Sequence, residues 1–271
     1  MLTQQTPVAF SGNIPKNYDA GLGPMFFEPF AIDMALRLNE LKPEKILELA
    51  AGTGRLTRLL PSVAAENATI IASDINPSMV AFGKDKTENE KINWQIIDAL
   101  TLPFNDNVFD CVVVQFGVMF YSDKVKAFKE VFRVLKPGGT FIFNCWDTIK
   151  NNPMANIVNQ TLQYFYPVDT PAFYSIPFSY YNEEIIRNDL DAAGFKNANI
   201  EMVSLTGYSN SPEAAANGLI NGTPTVTAIE EKDADMLPLI MKYLSDQIQD
   251  EFGSAHLQVP LKARVVKLIK N

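Results

Sequence analysis

One histidine and two cysteines are all that 271 residues supply in imidazole and thiol ligands. That scarcity excludes a Cys/His metal cluster, and no metal site is expected. A Ser-His-Asp hydrolase would have to use His256, and no nucleophile-elbow motif stands ready to pair with it. Dense runs of Lys or Arg are missing too. The 23 basic and 31 acidic residues leave a net charge of −8, which disfavours polyanionic partners, so no nucleic-acid substrate is expected. No apolar run approaches the ~18 residues that span a bilayer. The start, Met1-Leu2-Thr3-Gln4-Gln5, has neither the basic region nor the apolar centre of a signal peptide. A cytoplasmic protein without a membrane span is the expectation. Cys111 and Cys145 fall inside apolar runs and read as buried, reduced thiols.

What the chain does have is the make-up of a soluble globule, 47% hydrophobic with a mean hydropathy of −0.02. From Met25 the apolar positions Phe26, Phe27, Phe30, Met34, Leu38 and Leu41 recur at helical spacing, so a helix is predicted to about Leu41, closed by Pro43. Strands and helices then alternate, the pattern of a parallel sheet covered on both faces. Strands are predicted at Lys45–Ala50, Thr69–Asp74, Ile92–Asp98, Phe109–Phe116 and Thr140–Trp146, with helices beginning near Arg55, Pro77 and Asp123. Leu135-Lys136-Pro137-Gly138-Gly139 reads as a helix end and turn. Beyond Asp147 a helix is predicted over Met154–Tyr166, then an aromatic stretch containing Phe173, Tyr174, Phe178, Tyr180 and Tyr181. Asn182 caps a helix to Ala193 with Gly194 as its stop, Asn197–Leu205 alternates like a strand, and Ser211-Pro212 starts a helix. A longer helix, Asp233–Phe252, and a last strand, Leu261–Ile269, complete the chain.

The most informative segment is Ile46-Leu47-Glu48-Leu49-Ala50-Ala51-Gly52-Thr53-Gly54-Arg55. An apolar strand ends in an acid, small residues and a Gly-x-Gly turn, which builds a nucleotide-type site at the sheet's carboxyl edge. Glu48 would repel a pyrophosphate and attract the cationic end of S-adenosylmethionine, which favours a methyl donor. Three more strand ends follow in register. Asp74, 22 residues past Gly52, can accept hydrogen bonds from two ribose hydroxyls. Asp98-Ala99 can accept from an adenine amine, and Gln115-Phe116-Gly117 allows close approach of a ligand. Each has a plain structural reading: Asp74 as a helix cap, Asp98 as a turn residue, the glycine loop as a degenerate dinucleotide fingerprint. Their order favours one ligand.

These residues resemble the class I S-adenosylmethionine-dependent methyltransferases, in particular the branch of ubiquinone/menaquinone-biosynthesis methyltransferases. The match rests on Glu48-Leu49-Ala50-Ala51-Gly52-Thr53-Gly54, Ser73-Asp74, Asp98-Ala99 with Leu102-Pro103-Phe104, Phe109-Asp110 and Leu135-Lys136-Pro137-Gly138-Gly139, over roughly residues 45–147. The resemblance implies a doubly wound, mostly parallel seven-stranded α/β sheet with an antiparallel last strand, supplied by Leu261–Ile269, and a helical cap. One domain, 1–271, is expected, with 1–44 as lid and first helix and 45–147 as the cofactor-binding core. Segments 148–181 and 206–260 are read as cap insertions, and 182–205 and 261–271 as returns to the sheet. The cofactor set implied is Tyr18, Glu48, Ala50, Gly52, Gly54, Asp74, Ile75, Met79, Asp98, Ala99, Leu100, Gln115, Phe116 and Gly117. In it Tyr18 belongs to a lid and Met79 packs on adenine. Ala50 departs from the family, which usually carries glycine there.

Methyl transfer from a sulfonium is a direct displacement that needs positioning and water exclusion. An oxygen or activated-carbon acceptor would benefit from a general base. Tyr18, Tyr121, Trp146 and His256 are the catalytic candidates, each with a rival reading as core or surface. The aromatic stretch Phe173–Tyr181 suggests a small apolar or aromatic acceptor. S-adenosylhomocysteine would be the product. Two alternatives stay open at this point: an NAD-dependent oxidoreductase using the Gly52/Gly54 turn and Asp74, and a non-catalytic S-adenosylmethionine-binding protein.

Overall fold

The computed structural model describes residues 10–271. Its strands are β1 (Lys45–Leu49), β2 (Thr69–Asp74), β3 (Ile92–Ile96), β4 (Phe109–Gln115), β5 (Leu135–Trp146), β6 (Asn199–Ser209) and β7 (Leu257–Ile269). They form a single sheet in the order β3-β2-β1-β4-β5-β7-β6. The first five pair in parallel, and β7 runs antiparallel between β5 and β6. The expected doubly wound sheet with an antiparallel last strand is what forms, with helices on both sides. Burial on two faces explains why the inner strands lack alternation: Ile46, Leu47 and Leu49 on β1 and Cys111 to Val114 on β4 are all buried. Chain order reverses between β1 and β4, so their carboxyl ends flank the crevice where such sheets bind ligands.

Helix starts follow local capping chemistry. Asn76 accepts from the N–H groups of Ser78 and Met79 to open α2 (Pro77–Asp85), counting Glu28–Asn39 as α1. Asp123 caps α3 (Lys124–Val134) through Lys126 N–H, and Asn182 caps α5 (Glu183–Ala192), which follows α4 (Pro153–Phe165). Ser211 caps α6 (Pro212–Asn221). Each side-chain oxygen satisfies an amide that the helix leaves without a partner.

Several elements differ from expectation: β6 runs on to Ser209 and β7 begins at Leu257, each four residues beyond the expected end, and four others depart further. Glycine-rich Tyr18–Phe27 is a π-helix running directly into α1, sealed where the Glu28 N–H bonds to Gly23 O, a five-residue reach. Pro24 lies inside it and has no N–H to give. The helix predicted from Arg55 is instead a series of turns over 52–59 followed by one turn at Leu60–Val63. Pro61 has no N–H for the Thr57 carbonyl, which removes an α-helical bond there. β5 begins early, at Leu135, because Phe109 pairs with Leu135 before an irregularity resumes the register at Cys111 and Thr140. The long helix expected over Asp233–Phe252 starts later, as α8 at Leu237–Phe252 behind a 3-10 turn at Ala234–Met236, and a helix not expected, α7 at Thr225–Asp233, precedes it.

The π-helix crosses α6 backbone to backbone. A Cβ on Gly21 would lie 2.5 Å from Gly218 Cα, so only glycine permits this approach. That contact seats the amino-terminal segment across the carboxyl edge of the sheet.

Candidate functional site

The site is built from strand ends. Glu48, near the end of β1, is 1% exposed, and its Oε2 has no hydrogen-bond partner. Burial pushes its carboxyl up to about 8, and the charge of Asp74 adds to the rise. Beyond it Ala50 turns into the left-handed region at φ 53° and Gly52 at φ 56°. The Ala51 N–H then bonds to Ser73 O at 2.8 Å, tying the loop to β2. A left-handed alanine is strained by about 1–2 kcal/mol. The family glycine is therefore explained by the backbone, and Ala50 is the departure the chain tolerates.

Asp74, at the end of β2, accepts from Gly52 N–H at 2.9 Å through Oδ2 and from Asn76 N–H at 2.8 Å through Oδ1. The capping alternative for Asp74 is resolved by Asn76, which is the cap of α2. Burial raises the Asp74 carboxyl, opposed by those backbone donors. Asp98 is exposed, and its carboxylate accepts from Leu100 N–H at 2.9 Å. That is a turn geometry, and one oxygen remains open to solvent at the end of the third strand. Ala99 and Met79 are buried, whereas Ile75 is 54% exposed at the lip.

The end of β4 carries a second strained turn. Phe116 has φ 52° and is held by Asn144 Oδ1, which accepts its N–H at 2.7 Å. Its ring stacks on Trp146, with centroids 3.7 Å apart and planes at 5°. Phe26, Phe27 and Phe30 also abut Trp146. Trp146 thus belongs to an aromatic wall beside the cleft. A Cβ on Gly117 would lie 2.5 Å from Ala50 Cβ, so glycine is required where the two strained turns meet. Backbone strain at two adjacent strand ends is characteristic of ligand sites.

Gln115 donates from Nε2 to Phe27 O at 2.8 Å, while its Oε1 is buried without a partner. Tyr18 stacks on Phe27 at 4.9 Å, and both line the cleft with Glu48, Ala50 to Thr53, Arg55, Leu56 and Gln115. The space between them is about 30 Å³, roughly one water molecule. Burial raises the Tyr18 and Tyr121 phenols far above their ordinary value, and Asp74 reinforces both shifts. Tyr121 Oη is buried and unpartnered. These phenols can donate hydrogen bonds but do not ionise near neutrality.

The structure therefore gathers Tyr18, Glu48, Ala50, Gly52 and Gln115 around one cleft, with Asp74 bonded to its loop and Phe116, Gly117, Tyr121 and Trp146 alongside. It does not bring His256 there. His256 is exposed just before β7, and Ala263 is the β7 residue that pairs with Trp146. Six residues of strand, about 20 Å, separate His256's neighbour Leu257 from that pairing. Sequence reading missed Arg55, Phe27 and Asn144. Only Arg55, a charged residue at the end of the Gly-x-Gly turn, offered a local signal.

The cysteines Cys111 and Cys145 are free and buried, and burial pushes each thiol up to about 12. No group of three potential metal ligands occurs among the described residues.

An open α/β sheet whose switch-point crevice carries an acidic strand end, a Gly-x-Gly turn and a second carboxylate on the next strand defines a nucleotide-type ligand-binding protein. The chain belongs to the ubiE/COQ5 methyltransferase family, whose model matches residues 29–202. It is 43% identical over 105 residues to the ubiquinone/menaquinone biosynthesis C-methyltransferase UbiE of Haemophilus ducreyi, covering 37% of this chain and 40% of that protein. The protein of the same name from Proteus mirabilis is 31% identical over 163 residues, 59% of this chain and 60% of its own length. The chain thus spans about 40–60% of the length of these relatives. Among solved structures, YcgJ of Bacillus subtilis is similar at a TM-score of 0.59 and 20% identity, over 89% of this chain and 98% of that one. Haemonchus contortus phosphoethanolamine N-methyltransferase 2, in complex with S-adenosyl-L-methionine, gives 0.57 at 16% identity, over 94% and 56%. At these identities the likeness is one of fold.

Proposed function

We propose that this chain binds S-adenosylmethionine in the cleft and transfers its methyl group to a small apolar or aromatic molecule. The observation that carries the reading is Glu48, a fully buried carboxylate with an unpartnered oxygen beneath the Gly-x-Gly turn. A buried acceptor without a donor is costly unless a ligand completes it. An ammonium does so, whereas a pyrophosphate offers that oxygen no donor. Family membership points the same way. The nicotinamide and non-catalytic readings have no comparable observation in their favour.

In this reading Asp74 accepts from the ribose hydroxyls, since each of its oxygens keeps a lone pair beyond its one backbone bond. The same reading assigns Asp98, with apolar Met79, Ala99 and Leu100, to the base. When bound, the cofactor supplies an electrophilic methyl group on a sulfonium. Transfer to the acceptor would leave S-adenosylhomocysteine as the product. The chain's contribution is alignment and dryness. Tyr18, Phe27 and the aromatic wall exclude water, and Tyr18 and Tyr121 serve as donors rather than bases. No helix among the described residues is long and apolar enough to cross a membrane. Two buried free thiols suit work in the cytoplasm.

Calorimetric titration with S-adenosylmethionine, S-adenosylhomocysteine and NAD, repeated on Asp74→Ala, tests the reading. Micromolar binding of the first two, lost in the variant, is the expected result. Binding of NAD alone refutes it.

A further inference from the structure

The sheet ends in two unequal edges. β3 at one end is five residues long, and β6 at the other is eleven. Soluble proteins guard an edge by keeping it short, bulging it, or placing Lys or Pro on it, because its outward N–H and C=O groups pair readily with another strand. β3 is short, whereas β6 has none of these guards. Its register with β7 runs unbroken from Asn199 to Ser209, it contains no proline or lysine, and Glu201 is its one charged residue. Among the described residues no backbone hydrogen bond joins β6 to any element except β7. In a chain of net charge −8, a stretch so poor in charge is where two copies approach with least repulsion.

Apolar side chains flank that edge. On one face α1 is tied to β6 by Arg37 Nη1 donating to Glu201 Oε2 at 2.7 Å, and it leaves Ile32 and Leu36 48% and 64% exposed. On the other face Met202 and Tyr208 are 40% and 57% exposed. From this arrangement we propose that two copies of the chain pair β6 against β6, antiparallel about a two-fold axis at Ser204, so that one sheet runs through both molecules. That centre engages all eleven residues of the strand. It sets Val203 against Leu205, Met202 against Thr206 and Ile200 against Tyr208, pairings that suit an antiparallel ladder. Glu201 falls opposite Gly207, so no like charges meet, and Arg37 already neutralises its carboxylate. At ~3.4 Å per residue the paired strip is about 37 Å long. A stable interface takes about 800 Å² per partner, hence a width of about 22 Å. The ladder alone is narrower than that, and the exposed side chains of α1 and of the open face must complete it. An association in the micromolar range follows.

Sedimentation velocity of the full chain from about 1 to 200 µM, a range that brackets micromolar association, tests the proposal. The unaltered chain should move from 30.1 kDa toward twice that mass as concentration rises. Ser204 is exposed, so Ser204→Lys and Ser204→Glu disturb the single molecule little but place like charges on the axis. Each alone should weaken the dimer at least about tenfold, and an equimolar mixture of the two should restore it as a mixed pair. Restoration also shows that both variants fold. Hydrogen exchange of the unaltered chain needs no substitution, and protection of the β6 amides should grow with concentration. A dimer indifferent to both variants, or one that the mixture does not restore, overturns the axis at Ser204. A monomer at every concentration overturns the pairing itself and leaves the edge to a strand of another protein. Both outcomes are independent of the methyltransferase reading, which stands or falls with binding of S-adenosylhomocysteine.

Discussion

Ligand binding should drive a proton off Glu48. With its carboxyl pushed up to about 8 by burial, Glu48 is about nine-tenths protonated in the ligand-free protein at pH 7. An ammonium about 4 Å away gains about 4 kcal/mol from the ionised form at an effective dielectric of ~20. Ionising the group at pH 7 costs about 1.4 kcal/mol. The net gain is about 2.6 kcal/mol, so Glu48→Gln should weaken S-adenosylhomocysteine about eightyfold at pH 7. Titration calorimetry at pH 7 in buffers of different ionisation enthalpy should show about 0.9 proton released per ligand bound. The ligand's own ammonium contributes equally to both proteins, so the difference between them isolates the carboxylate. Identical proton release in the unaltered chain and Glu48→Gln would refute the reasoning, whatever the affinities.

The same carboxyl links stability to pH. Its folded value lies above the ordinary 4.5, so between about 5 and 8 the folded state holds a proton that the unfolded chain has released. Stability of the ligand-free protein should therefore fall as pH rises, by up to about 1.4 kcal/mol per unit through that window. Urea melts of Glu48→Gln, which has nothing to ionise, should lack this component. Ala50→Gly removes about 1–2 kcal/mol of left-handed strain and adds about 0.4–1 kcal/mol of unfolded-state freedom, so a gain of roughly 0.5–1 kcal/mol is expected in the same melts. Gly117→Ala places a methyl against Ala50 Cβ and Val114 Cγ1 and should cost about 1–3 kcal/mol. The double variant with Ala50→Gly should recover part of that loss, and strict additivity would refute the contact. Asn144→Leu strips the acceptor from the Phe116 N–H and should destabilise by about 1–3 kcal/mol.

The residues themselves determined the inner strands, the helix caps and the strand-end part of the cleft. Runs such as Cys111-Val112-Val113-Val114 have one sensible place, between two covered faces. Asn182 and Ser211 announce their helices because capping is settled within three residues of chain. Glu48, Gly52 and Asp74 were legible because a parallel strand delivers its last residues to one edge of the sheet, wherever the rest of the chain goes. Tertiary structure decided the remainder. That Asn144 holds Phe116 depends on β5 lying beside β4, and that Arg55 reaches Asp19 and Glu28 depends on a segment some 30 residues upstream folding back over the turn. The π-helix is set by a glycine contact with α6, nearly 200 residues away in sequence. His256 was a candidate only because it is the lone imidazole, and the length of β7 carries it out of reach. Local chemistry fixes what a residue can do within a turn or two of chain, whereas partnership between distant segments is chosen by packing.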